Sequence, residues 1–331
     1  MKRFLLFIIL ISIVVLAVVN LVPNYFSTSV NAEPIEIQVS KGASLSSVAE
    51  DLYENGIIRS KLWFKYNGKE IAQNIKPGKY TITPKMNIDG IYEILQQGEE
   101  EEYIKITFPE GFILYQFANR VSEAGFGTVD EFIEATNNYF KDKGYTFDTS
   151  DLYFNMEGYL FPDTYHFNKN QTISDIVQLL GSTMDNVFTD EYNKRAEELG
   201  LTKHEVLTLA SLIEREAYND EERAKISGVI YNRLEQGMLL QIDATVIYGL
   251  GEGKEHTTRV LYADLEKDNP YNTYKNIGLP PGPIASPGRK SIHAALYPEE
   301  HDYFYYVLGE NGHVFANTYN EHLKNVAKYR K

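Results

Sequence analysis

Apolar residues fall along this chain in three regimes. From Phe4 to Val22 every position is apolar except Ser12 and Asn20, a run long enough to span a bilayer as one helix. Lys2 and Arg3 precede the run and Pro23 closes it. Positive charge on the short leading side places the N-terminus in the cytoplasm and everything after Pro23 outside it. A cleaved signal peptide is the competing reading, with Val30-Asn31-Ala32 as a small-residue site, but the run exceeds an ordinary signal core of about 7–15 residues. The expectation is an uncleaved single-pass anchor over residues 4–22, with residues 1–3 cytoplasmic and 23–34 a linker.

Beyond Ile35 the pattern shortens. Ile35-Glu36-Ile37-Gln38-Val39 alternates as a strand does, and Leu45, Val48, Ala49 and Leu52 share one helix face behind Ser44, a suitable N-cap. Ser60 can cap a short helix over residues 62–64, Pro77 to Ile82 reads as turn and strand, and another helix runs through residues 88–95. Glu99 to Glu102 make a solvated break. Residues 35–103 are therefore expected to form a small α/β module.

The third regime, residues 104–331, mixes longer helical periods with short strands and predicts a larger α+β domain. A strand is expected over 103–108. Helices follow over 114–124, near 131–137, over 174–187 and 190–199, through 203–217, and from Asp220 to before Gly237. Alternation on either side of Asn311-Gly312 predicts a closing hairpin of residues 303–308 and 313–316.

The helix over 203–217 carries the most pointed chemistry. Val206, Leu209, Ala210, Ile213 and Ala217 recur on one face. At about 100° per residue, Glu214 and Glu216 fall on opposite shoulders of that face and cannot share one site. Glu214 lies over Ala210 and Ser211, small side chains that leave room for a bound molecule. Partial desolvation there would raise its pKa, which is what a general acid needs. A solvated flank residue paired with Arg215 or Lys225 is the plainer alternative. The segment from Glu157 to Phe167 crowds an acid, turn residues and aromatics together, either as one wall of a sugar groove or as a packed strand, turn and strand. Pro280, Pro281, Pro283 and Pro287 stiffen a loop suited to a fixed wall beside a ligand.

Composition narrows the choices. A net charge of −14 argues against nucleic acid as a partner, and the absence of cysteine removes disulfides and thiol chemistry. No metal-ligand spacing, Ser-His-Asp constellation or phosphate-binding glycine loop is evident, so neither a metal nor a cofactor is expected.

Four motifs then occur in order: EGYLFPDTY at Glu157–Tyr165, ASLIEREA at Ala210–Ala217, VIYNRLEQGMLLQIDATVIYGLG at Val229–Gly251, and YNTYKNIGLPPGPIASPG at Tyr271–Gly288. With them the chain resembles the endolytic murein transglycosylase (YceG-like) family from anchor to closing hairpin. The resemblance implies cleavage between N-acetylmuramic acid and N-acetylglucosamine within peptidoglycan strands, leaving 1,6-anhydromuramyl ends, with Glu214 catalytic. It carries Asn232, Gln241, Asp243, Thr245, Tyr271, Asn272 and Ser286 over as groove-lining residues, beside Glu157 of the first motif. It also favours a LysM-like, glycan-gripping reading of residues 35–103, whose opening Val39-Ser40-Lys41-Gly42-Ala43-Ser44 is similar to such modules; a structural spacer is the alternative. Wall-synthesis proteins would be natural partners. Two rival functions stand beside it: a hydrolytic muramidase with Asp243 or Glu157 as a second carboxylate, and a non-catalytic, membrane-tethered scaffold that binds the wall.

Overall fold

The structure, a computed structural model, describes residues 11, 12, 14, 33–83, 86–98, 103–254 and 260–330. Among the described residues no helix is long and apolar enough to cross a membrane. The anchor expected over 4–22 lies outside them apart from Ile11, Ser12 and Val14. The chain divides into two compact units, Met1–Glu102 and Tyr103–Lys331.

In the first unit, β1 (Ile35–Val39) pairs antiparallel with β2 (Gly78–Ile82), Ile35 opposite Ile82. The alternation read from the sequence puts Ile37, Val39, Tyr80 and Ile82 inside. Helices α1 (Leu45–Glu54), α2 (Lys61–Asn67) and α3 (Ile88–Gln97) cover the pair, and each begins where a short polar side chain accepts a backbone N–H: Ser44 from Ser47, Ser60 from Trp63, Asn87 from Gly90. Leu52, Phe64, Ile91 and Leu95 fill the core. The Tyr92 hydroxyl donates to the Phe64 carbonyl at 2.6 Å, tying α3 to α2.

In the second unit β3 (Tyr103–Thr107) pairs antiparallel with β4 (Thr164–Asn168), and α4 (Leu114–Glu123) and α5 (Val129–Lys143) lie between them in sequence. There follow α6 (Ile173–Val187), α7 (Asp190–Glu198), α8 (Lys203–Glu216), α9 (Arg223–Glu235), α10 (Asp243–Leu250), the short α11 (Tyr262–Leu265) and α12 (Arg289–Leu296). The predicted hairpin is present as β5 (Tyr305–Leu308) and β6 (His313–Ala316), and α13 (Tyr319–Tyr329) ends the described chain. Thr128 with Glu131, Thr172 with Asp175, Thr202 with Glu205 and Thr318 with Glu321 form reciprocal caps that start α5, α6, α8 and α13.

Helix α8 departs from the reading of a single apolar face. All eight residues from Val206 to Ile213 are buried, because α9, α10 and α12 pack against the helix. Its two interior hydroxyls are satisfied within the helix, Thr208 by the His204 carbonyl at 2.8 Å and Ser211 by the Thr208 carbonyl at 2.7 Å.

Glu157 was expected in a groove wall and is instead 2% exposed. The Leu114 N–H at the start of α4 donates to both its oxygens, at 2.9 and 3.1 Å, and the Tyr248 hydroxyl donates to Oε2 at 3.1 Å. The carboxyl thus caps α4 from a distant segment and braces α10 against it. Beside it Gly158 has φ +78°, and a Cβ there would meet Pro283 at 2.4 Å, so only glycine fits between this turn and the proline-rich loop. Burial pushes Glu157 up to about 8, against the lowering effect of its donors.

The native state therefore holds a proton that the unfolded chain releases at lower pH. The stability this contributes is complete below the unfolded value of 4.5 and is lost as pH rises to about 8. Glu157→Gln should flatten that decline: between pH 5 and pH 8 the wild-type melting temperature should fall several degrees further than the variant's. Equal falls would show that the native carboxyl is already ionised at pH 5.

Candidate active site

Glu214 occupies the last turn of α8 with its side chain 7% exposed. Arg223, the first residue of α9, brings Nη1 to 3.1 Å from Oε1. The Gly288 N–H donates to Oε2 at 3.0 Å. Gly288 is the N-cap of α12, so the positive end of that helix faces the carboxylate. Arg223 also reaches Asp220 Oδ1 through Nε at 3.1 Å and donates to the Ser291 hydroxyl, while Lys290 pairs with Asp220. One ionic cluster thereby joins the ends of α8, α9 and α12.

The proline-rich loop is fixed against this cluster by its backbone. Ile284 N–H donates to Ser211 Oγ at 3.0 Å, Ser286 N–H to the Phe112 carbonyl at 2.8 Å, and Gly111 N–H to the Ser286 carbonyl at 2.9 Å. Arg215 Nη1 donates to the Gly111 carbonyl at 3.1 Å. The room expected above Ala210 and Ser211 is consequently not open to a ligand, because Ser211 is used to seat this loop. The loop is seated through these hydrogen bonds, and it stands on the small Ser211 side chain.

A second carboxyl, Glu110, sits at the same place. It is exposed on one side, yet it packs so closely on Gly288 that a Cβ there would lie 1.8 Å from its Oε1. Burial raises its pKa, with the Glu214 charge next in effect and Asp220 adding to it, while Arg223 and Lys290 act in the opposite direction. Between Pro109 and Gly111, Glu110 carries no local mark of a site residue. The available signal was an acid in a tight turn just before an N-terminus, which does not say what the turn will face.

The other shoulder of α8 opens on a separate cleft of about 600 Å³, lined by Glu216, Gln241, Asp243, Tyr274 and Tyr306 among others. Tyr306 donates to Glu216 Oε2 at 2.8 Å and Tyr274 to Asp243 Oδ1 at 2.5 Å. Burial raises the Glu216 pKa, opposed by the Tyr306 bond. Gln241 adopts φ +52°, a strained conformation for a residue with a side chain.

The remaining expected groove residues are braces. Thr245, Tyr271, Asn272 and Ser286 are each at most 1% exposed. Thr245 Oγ1 donates to the Ile242 carbonyl, and Asn272 Nδ2 to the carbonyls of Leu265 and Lys267 at 2.9 and 2.8 Å. Tyr271 stacks on Tyr153, and Ser286 contributes the backbone bonds already described. Asn232, half-buried, donates to the carbonyls of His301 and Tyr303 at 2.7 and 2.9 Å. The Asn232, Thr245 and Asn272 side chains are thus spent on backbone carbonyls, whereas the buried Tyr271 hydroxyl has no hydrogen-bond partner among the described residues. Of the expected set, Gln241 and Asp243 share an open cleft, and it lies on the Glu216 side.

The profile of the YceG-like family matches residues 37–328. The chain is 38% identical over 308 residues to the endolytic murein transglycosylase of Bacillus subtilis (strain 168), covering 89% of this chain and 84% of that protein. It is 29% identical over 322 residues to the endolytic murein transglycosylase of Streptococcus pneumoniae serotype 2 (strain D39), covering 89% of this chain and 58% of that protein. A 2.6 Å crystal structure of a yceG-like protein from Listeria monocytogenes matches with a TM-score of 0.62 at 33% identity, over 89% of this chain and 100% of that one.

Removing one member of a largely buried ion pair leaves the other uncompensated. Arg223→Ala should cost about 2–4 kcal/mol in urea unfolding. Adding Glu214→Gln should restore part of that loss. Strict additivity of the two changes would show that the pair is not coupled.

Proposed function

Because this chain belongs to the YceG-like family and is a lytic transglycosylase, we propose that it opens the bond between N-acetylmuramic acid and N-acetylglucosamine within peptidoglycan strands. It leaves 1,6-anhydromuramyl ends, ends strand growth by doing so, and uses Glu214 as its catalytic carboxyl. The observation that carries this choice is the setting of Glu214, 7% exposed between the Arg223 guanidinium and the Gly288 N–H. Such a site holds a carboxyl in one orientation and largely out of bulk water.

The chemistry asks for two proton movements. The leaving oxygen must gain a proton as the bond opens through an oxocarbenium-like state, and the muramyl C6 hydroxyl must lose one as it closes on its own anomeric carbon. One carboxyl can serve both, first as acid and then as base. The nucleophile is internal, so no water needs activating by a second carboxylate at a set separation. Glu157, a candidate for that second role, is committed to Leu114 and Tyr248 in the core.

Gln241 and Asp243, in the cleft with Tyr274, are the groups we assign to contact with the strand, since an aromatic ring beside hydroxyl-bonding side chains suits a sugar. Residues 35–103 we read as the LysM-like glycan-holding module. The apolar run over 4–22 holds the enzyme at the outer face of the membrane, beside the machinery that makes the wall.

The test is mass spectrometry of purified peptidoglycan after incubation with the full-length chain in detergent, beside Glu214→Gln shown to be folded. Anhydromuramyl ends should appear with the wild type alone. Reducing ends would mean hydrolysis, and products from Glu214→Gln would remove Glu214 from the role. Asp243→Asn should raise KM severalfold with kcat little changed; a loss confined to kcat would place Asp243 at the reacting bond instead.

A further inference from the structure

Glu110 and Glu214 come from segments far apart in sequence and meet at one residue. The Gly288 N–H is bonded to Glu214, and the face of Gly288 that lacks a side chain is covered by the Glu110 carboxyl. Gly111, the neighbour of Glu110, lies 3.8 Å from Glu214 Cγ, measured from the position its Cβ would take. The two carboxyls differ in their surroundings. Glu214 has a guanidinium on one oxygen and a helix N-terminus on the other, whereas Glu110 has no ion pair or hydrogen bond among the described residues and reaches solvent on one side. Two carboxyls set differently around one point are the arrangement that separates an acid from a base.

We propose that the two proton movements of the reaction are divided between this pair, Glu110 donating to the leaving glycosidic oxygen and Glu214 accepting from the muramyl C6 hydroxyl. The inference rests on Glu214 as a catalytic carboxyl: it keeps the base step for Glu214 and moves the acid step, which one carboxyl could also have served, to Glu110. In the step, the bond from C1 to the glycosidic oxygen breaks with its electron pair going to oxygen, which takes the Glu110 proton. The C6 oxygen bonds to C1 and gives its proton to Glu214. Proton return from Glu214 to Glu110 restores the pair, so no outside reagent is consumed. The charged groups facing Glu110 are Glu214, Asp220, Arg223 and Lys290. Burial and the two acids together outweigh the two cations and raise its pKa, which favours the protonated form the role requires.

The full-length chain, Glu110→Gln, Glu214→Gln and Gly288→Ala are compared on two substrates. One is purified glycan strands. The other is a glycan oligomer carrying 4-methylumbelliferone on its terminal muramyl residue, a leaving group that departs without protonation. Glu110→Gln should lose about 100-fold or more in kcat on strands, but stay within about 10-fold of wild type on the aryl substrate. It should also lose the fall in rate that wild type shows as pH rises through the Glu110 pKa. Glu214→Gln should lose activity on both.

Gly288→Ala keeps both carboxyls and a backbone conformation open to alanine, φ −77°, while its methyl displaces Glu110; it should follow Glu110→Gln in kind. Full activity of Glu110→Gln on strands, or equal loss on both substrates by a variant with native melting temperature, would overturn the division. Wild-type protein that opens strands without anhydromuramyl ends would instead overturn the reaction assigned above, and this proposal with it.

Discussion

The second unit turns on a charge held at the wrong end of its own helix. Glu214 lies in the last turn of α8, where the dipole disfavours an anion, and Arg223 opens α9, where it disfavours a cation. Each misplacement costs on the order of 0.3–1 kcal/mol by itself. Set 3.1 Å apart and largely out of water they satisfy one another, and the N-terminus of α12 supplies a further partner through Gly288. Two local rules are broken so that one tertiary arrangement holds. Asp220, Ser291 and Lys290 then follow, because a buried guanidinium needs acceptors for more than one N–H.

This explains which parts of the fold could be read from the chain. Ser44, Ser60 and Thr202 start helices through bonds to residues three positions on, an interaction contained within a few residues and visible as a pattern. The Asn311-Gly312 hairpin is legible for the same reason. The full burial of α8 is not, since periodicity reports one apolar face and is silent about helices arriving from elsewhere. Leu207, Leu212 and Ser211 are covered by elements such as α12 that lie many residues away. Helix α13 is not among the expected elements, although Thr318 and Glu321 carry the same reciprocal cap as α5, α6 and α8. The short α12 has no side-chain cap at all, and its N-cap glycine is needed to admit Glu110.

The site residues divide along the same line. Glu214 could be selected because its position on a helix depends on angle alone. Thr245, Tyr271, Asn272 and Ser286 sit inside distinctive motifs, but a motif does not distinguish a residue that touches a ligand from one that fixes the loop that does. Asn272 secures two carbonyls of an irregular segment, and unsatisfied carbonyls of this kind are costly when buried. Such braces are as specific to the fold as any contact residue. Glu110 shows the converse: a Pro-Glu-Gly turn is unremarkable until the glycine opposite it makes room.

The two acids at the end of α8 show why neighbours in sequence need not share chemistry. Glu216 is met by a phenol from β5 and, among the described residues, by no cation within ion-pairing distance, and burial raises its pKa. A neutral donor suits either protonation state, so this carboxyl can be neutral at little cost and still hold the hairpin against the helix. Glu214 is met by a permanent cation and a helix N-terminus. Two positions along the helix turn a residue through about 200°, enough to exchange one setting for the other. The separation of a charged, cation-bound flank from a tyrosine-lined one is therefore a consequence of helix geometry. It allows one short segment to support proton chemistry on one side while the other side braces the hairpin and borders an open cleft.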